Sequence, residues 1–117
     1  MLTTNAGTRR LVRAAAMVAV CLVAASVSVD ALAATKTHTV TMEGTRFIPE
    51  TLTVRRGDRV VWINKDPFPH TATGPARSFD SRSVAPEASW RYVAKKAGTF
   101  PYVCTFHPTM KGTLVVE

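Results

Sequence analysis

The sequence predicts an all-β domain, a Greek-key antiparallel β-sandwich, behind an N-terminal leader. Three observations carry that prediction. Short alternating or β-branched runs recur from residue 37 to residue 116, separated by turn-forming residues, at the spacing of a sandwich. No part of that region repeats its apolar residues with a helical period. The first 33 residues differ in composition from everything after them.

The leader has three parts. Residues 1–13 are polar and basic, with Arg9, Arg10 and Arg13; residues 14–29 are apolar or small; and Ala31-Leu32-Ala33 is an A-x-A cleavage signal. This is the layout of a secretory signal peptide. The apolar run is too short and too rich in Ala and Ser to favour a permanent span. Residues 1–33 are therefore expected to be removed, leaving a domain of residues 34–117 in the periplasm or secreted. Arg9-Arg10 suits the twin-arginine route as well as the general one, and both stay open. Cys21 lies within the apolar run and needs no role beyond hydrophobicity.

Losing Arg9, Arg10, Arg13 and Asp30 with the leader lowers the formal net charge from +7 to +5. The remaining cations fall in short clusters, Arg55-Arg56, Arg59 and Lys95-Lys96, not in a tract. An exported chain without a basic stripe is a poor nucleic-acid binder. The charge favours solubility, a monomer and partners with acidic surfaces.

Along the domain, residues 37–42 and 51–54 alternate and are rich in Thr and Val. Arg55-Arg56-Gly57-Asp58 is a turn signal. Residues 59–64, Arg-Val-Val-Trp-Ile-Asn, form a nearly continuous apolar run, expected to be buried on both sides for part of its length. Pro67 and Pro69 make residues 65–69 a loop. Residues 76–87 are polar and irregular; 89–94 alternate again; Lys95-Lys96-Ala97-Gly98 turns. Residues 99–103 lead to Cys104, with Pro101 marking an edge strand or a position whose N–H faces away from the ladder. Lys111-Gly112 is expected to turn the chain before a closing strand at 113–116. Phe47, Trp62, Phe79, Trp90, Phe100 and Tyr102 are the expected core.

Once the leader is removed, Cys104 is the single cysteine, so no internal disulfide can form. A lone thiol outside the cytoplasm is an oxidation liability unless it is buried or coordinated. Cys104 begins a C-x2-H-x2-M stretch with His107 and Met110, and His70 ends the Pro67-Phe68-Pro69 loop just after the strongest strand. Two imidazoles, one thiolate and a thioether make a soft-ligand set suited to copper. Structural zinc needs more Cys or His than are present. No C-x-x-C-H haem attachment occurs. A Cys–His nucleophile lacks a helix N-terminus to activate it. His38, near the start of the domain, reads as an exposed residue. The acidic residues form no pair suited to acid–base work.

With these residues in hand, the chain resembles the cupredoxins, small type 1 blue copper proteins. The resemblance rests on residues 57–64, on Pro69-His70, on residues 97–102, and on Cys104 with His107, Met110 and Gly112. The short Cys–His–Met loop is most similar to that of amicyanins, within the plastocyanin and pseudoazurin superfamily. The resemblance implies one copper ion cycling between Cu(I) and Cu(II), held equatorially by His70, Cys104 and His107 and axially by Met110. Many relatives carry Asn after the first His; here Thr71 stands there, and its hydroxyl can make a similar bond between the ligand loops, with Asn64 as a second helper. Val103 replaces the Tyr that precedes the Cys in plastocyanins, so a lateral electron route through that position is not expected.

The implied activity is one-electron transfer between larger redox proteins without substrate turnover. The alternative is a copper-binding protein for storage or delivery, and a small cysteine hydrolase is a more distant rival. Phe68, Pro69, Phe106 and Pro108 are expected to surround the exposed edge of His107 with an apolar docking patch.

Overall fold

A computed structural model describes Ser26 and residues 33–117. The leader and cleavage expectations lie outside the described residues, apart from those at its edge. Among the described residues, no helix is long and apolar enough to cross a membrane.

Residues 33–117 belong to one compact unit. Its strands are β1 (Thr37–Glu43), β2 (Arg46–Ile48), β3 (Thr51–Val54), β4 (Arg59–Asn64), β5 (Ser89–Val93), β6 (Gly98–Cys104) and β7 (His107–Val116). One sheet has the order β2-β1-β4-β5 and the other β3-β7-β6. The β-sandwich is as the sequence predicts, but its sheets are mixed. β1 pairs with β4, and β3 with β7, in parallel, while the remaining pairs are antiparallel. The parallel pairs join strands that are not consecutive in the chain, an arrangement that short-range alternation does not encode.

Three elements differ from the sequence reading. β2 is only three residues long, too short to show a period, and it is placed by Phe47 entering the core. β4 is buried on one face only: Val60, Trp62 and Asn64 point inward, while Val61 and Ile63 are half-covered. Lys111-Gly112 does not turn. β7 runs through it because Gly112 faces the Tyr102 ring across the β6–β7 pair; a Cβ there would lie 2.5 Å from that ring. Pro101 does lie on an edge strand, β6.

The two sheets meet on aromatic residues. Trp62 of β4 donates its Nε1–H to the Tyr102 hydroxyl of β6 at 3.2 Å. Trp62 also packs against Phe79 and Trp90, and Tyr102 against Phe47 edge-to-face at 4.6 Å. Such pairs add directional attraction to area burial. Burial pushes the Tyr102 phenol up to about 12, with the Trp62 N–H acting in the opposite sense. Trp90 and Phe100, expected in the core, are only partly buried against it. The core therefore clamps β4 to β6, and the segments leaving the ends of these two strands are the ones that carry the metal-ligand residue types.

Candidate metal centre

β6 alternates inward and outward, which puts Tyr102 and Cys104 on the core side. A register irregularity between Val103 and Cys104 interrupts the ladder. Such irregularities re-aim side chains next to functional sites. Thr105 and Phe106 then turn the chain so that His107, the first residue of β7, pairs with Cys104. Met110 follows on β7, facing inward with Gly112, Leu114 and Val116, and is fully buried.

His70 arrives from the other sheet. After β4, the side chain of Asn64 donates to the Phe68 carbonyl at 2.8 Å and the Val84 carbonyl at 3.0 Å, and accepts from the Asp66 N–H at 2.9 Å. One buried amide thus folds the whole prolyl loop. The His70 backbone is paired in both directions with Val84. His70 is completely buried.

The Cys104 Sγ lies 3.7 Å from the His70 Nδ1 and 3.7 Å from the His107 Nδ1. The ligating atoms of these three residues lie within 4.8 Å of one another. No other group of three His, Cys, Asp or Glu side chains converges this way among the described residues. His38, the third histidine, lies near the start of β1, at the opposite end of the β1–β4 pair, where it bonds Asp58 at 2.9 Å.

Two sets of supporting bonds hold the trio. The first runs through Thr71, whose N–H points at the Cys104 Sγ from 3.3 Å and whose hydroxyl accepts the Thr105 N–H at 2.8 Å. Thr73 donates its hydroxyl to that of Thr71 at 3.1 Å. Thr71 therefore ties the His70 loop to the Cys104–His107 turn, and a hydroxyl occupies the position expected to make that tie.

The second set was not anticipated from the sequence. Asp66 Oδ2 sits 2.7 Å from the His70 Nε2 and also accepts the Thr45 N–H at 2.9 Å; Oδ1 accepts the Gly44 N–H at 2.7 Å. Burial tends to raise the Asp66 carboxyl, but the Thr45 N–H, His70 and the Gly44 N–H together outweigh it, and the net shift is downward. A carboxylate here makes Nε2 the protonated nitrogen of His70 and leaves the Nδ1 lone pair facing the sulfur. The D-x3-H spacing was the available signal.

The donor set decides which ion fits. A thiolate and two imidazoles are soft to intermediate donors and match copper, whereas carboxylate and water ligands would suit a hard cation. The Asp66 carboxylate bonds the far side of an imidazole and lies outside the trio. The residues present fit one copper ion.

Around this site, Phe68 and Phe106 are 38% and 51% exposed, large values for phenylalanine, and Pro69 and Pro108 are exposed as well. The Phe68 ring packs against both imidazoles, at 5.1 Å from His70 and 5.4 Å from His107. His107 itself is half-buried.

A β-sandwich with this trio at one end is the architecture of a copper protein. Comparison with known proteins agrees: a model of the cupredoxin-like domain matches residues 14–116, and the chain belongs to that family. It is 35% identical over 71 residues to an amicyanin from Paracoccus denitrificans, a match covering 56% of this chain and 54% of that one. It is 32% identical over 84 residues to a plastocyanin from Scenedesmus fuscus, covering 61% of this chain and 86% of the relative. The chain thus spans about half the length of that amicyanin. Among solved structures, a Cu(I) form of an amicyanin variant superimposes with a TM-score of 0.64 at 28% identity, over 69% of this chain and 82% of the other. A copper-containing nitrite reductase from Thermus scotoductus SA-01 also gives 0.64 at 28% identity, but only 22% of that longer chain is covered.

Proposed function

We propose that this chain carries single electrons between larger redox proteins, with copper held by His70, Cys104, His107 and Met110. The observation carrying this reading is the convergence of two Nδ1 atoms on the buried Cys104 Sγ at equal 3.7 Å separations. Bound there, copper would supply a one-electron Cu(I)/Cu(II) couple. The protein's contribution is to keep the donors still. Asp66 fixes the ring and tautomer of His70, the Thr71 N–H directs a dipole at the sulfur, and the Thr71–Thr105 bond locks the two ligand segments together. A site that does not rearrange suits electron transfer, because little reorganisation accompanies the change of charge. Met110 fits the fourth position by its C-x2-H-x2-M spacing and its burial facing inward on β7.

Burial also weighs against copper storage or delivery. His70 and Cys104 have no exposed surface, which hinders ligand exchange with a second copper protein. Turnover chemistry of the nitrite reductase kind is disfavoured as well. Of the three histidines in the sequence, two are in the trio and His38 is at the far end.

Electrons would enter and leave beside His107, the least buried of the three. The exposed Phe68, Pro69, Phe106 and Pro108 form an apolar surface around it, suited to brief encounters that release water readily. The leader reading places the mature domain, beginning near Ala34, outside the cytoplasm. Potentiometric titration of copper-loaded protein tests the reading: one reversible electron per chain supports it, and loss of copper on reduction would refute it.

A further inference from the structure

A cleft of about 580 Å³ opens beside Phe106, lined also by Thr71, Thr105, Arg77, Arg82 and Asp80. We propose that it is the anchoring site for an acidic redox partner: Arg77 and Arg82 pair with carboxylates on a protein whose apolar surface covers Phe106. This deepens the electron-carrier reading and rests on it.

Position is the first reason. Thr71 and Thr105 line the cleft and tie the His70 loop to the Cys104 turn, with the Thr71 nitrogen 3.3 Å from the sulfur. A partner seated here is separated from the metal-ligand residues by a single layer of side chains.

Charge is the second. Both arginines are exposed, and neither forms an ion pair among the described residues. The one carboxylate lining the cleft, Asp80, takes the Thr73 hydroxyl at 3.2 Å and the Arg82 N–H at 2.8 Å on its Oδ1 and pairs with neither guanidinium. The guanidinium groups are thus left to an outside anion, and their planar forks suit carboxylates.

The backbone supplies the third. Ala76, Arg77 and Arg82 occupy left-handed conformations, with φ of 47°, 53° and 55°. Non-glycine residues resist this region, and such strain persists only where surrounding bonds impose it, often at ligand clamps. Here the bonds are Arg77 N–H to Gly74, Ser78 N–H to Pro75, Gly74 N–H to Phe79 and Ser81 N–H to Ala72. They hold the segment carrying both arginines against the cleft. Of the other exposed cations, Arg55, Arg56, Lys95 and Lys96 cluster at the opposite end, where the Gly57 N–H bonds Ala94. They can steer an acidic partner but cannot contact it beside Phe106.

The test uses copper-loaded, reduced protein and two probes. Hexaglutamate, as a mimic of an acidic surface, is titrated while backbone amide signals are followed by NMR. Shifts are expected at Thr71, Arg82, Thr105 and Phe106. They should vanish in Arg77→Glu/Arg82→Glu and in the milder Arg77→Gln/Arg82→Gln, and persist in Arg55→Glu/Arg56→Glu. Shifts centred on Arg55, Arg56, Lys95 and Lys96, or surviving in Arg77→Gln/Arg82→Gln, overturn the proposal. Hexacyanoferrate(III), which takes one electron to become hexacyanoferrate(II), is the second probe. At low salt the Arg77→Glu/Arg82→Glu variant should react at least about fivefold more slowly than Arg55→Glu/Arg56→Glu. Equal rates in these two variants contradict the proposal while leaving the carrier reading intact. A wild-type protein that passes no electron to this oxidant contradicts the carrier reading, and the peptide map still decides the docking site.

Discussion

Asp66 Oδ2 lies 2.7 Å from His70 Nε2, and that bond turns a loop carboxylate into the orienting group for a metal-site imidazole. Partners of this kind typically contribute 10–100-fold to metal affinity. Asp66→Ala is therefore expected to weaken copper binding by roughly that factor, and Asp66→Asn by less, since an amide oxygen can still accept from Nε2. Competition with a copper chelator measures it. Unchanged affinity in Asp66→Ala would remove the carboxylate from the support of the site.

The Thr71 hydroxyl is the tie between the two ligand segments. Thr71→Val keeps the shape but leaves the Thr105 N–H without its acceptor, a loss on the order of 1–3 kcal/mol if water cannot replace it. Hydrogen exchange at the Thr105 amide should accelerate at least about tenfold in Thr71→Val, since 1.4 kcal/mol of local stability corresponds to that factor. Thr71→Ser should retain most of the protection. Equal exchange in wild type and Thr71→Val would show that the hydroxyl does not close this turn.

Far from the metal site, Asp58 gives the fold an acid limit. Its carboxylate accepts the Lys36 N–H at 2.9 Å, the His38 ring and the Arg55 N–H, which lower its pKa from 3.8 to about 2 against the opposing effect of burial. In the unfolded chain the carboxyl binds its proton at the higher pH, so between these values the unfolded state holds more protons than the folded one. The contribution to stability is complete above about pH 4 and disappears as pH falls through about 2. Denaturation midpoints measured from pH 5 to pH 2 should fall less steeply in Asp58→Asn. Asp66, also shifted downward, leaves some slope in that variant. Identical slopes would contradict the role given to Asp58.

Much of this was legible in the sequence because it is local. Cys104, His107 and Met110 share one short stretch, and the alternation of β1, β4 and β6 follows from backbone geometry. Thr71 was identifiable because it is adjacent to His70. The remainder depends on tertiary pairing. β2 has only three residues, and Phe47 enters the core because Tyr102 waits across the sandwich. Gly112 reads as a turn until the Tyr102 ring occupies the space a side chain would need. Asp66 offers no signal beyond its spacing from His70, and its burial follows only when the Gly44–Thr45 turn and His70 close around it. Arg77 and Arg82 lie in an irregular segment whose left-handed residues no pattern marks.

The central claim is that the Cys104 thiolate, with His70 and His107, holds copper in an electron-carrying site. The visible absorption spectrum of Cu(II)-loaded protein, wild type beside Cys104→Ser and Met110→Leu, tests it most directly. The account predicts an intense visible band in the wild type, its loss in a still-folded Cys104→Ser, and a retained band with an altered redox potential in Met110→Leu. A wild type that binds Cu(II) without colour, or a Cys104→Ser variant that keeps the band, would contradict it.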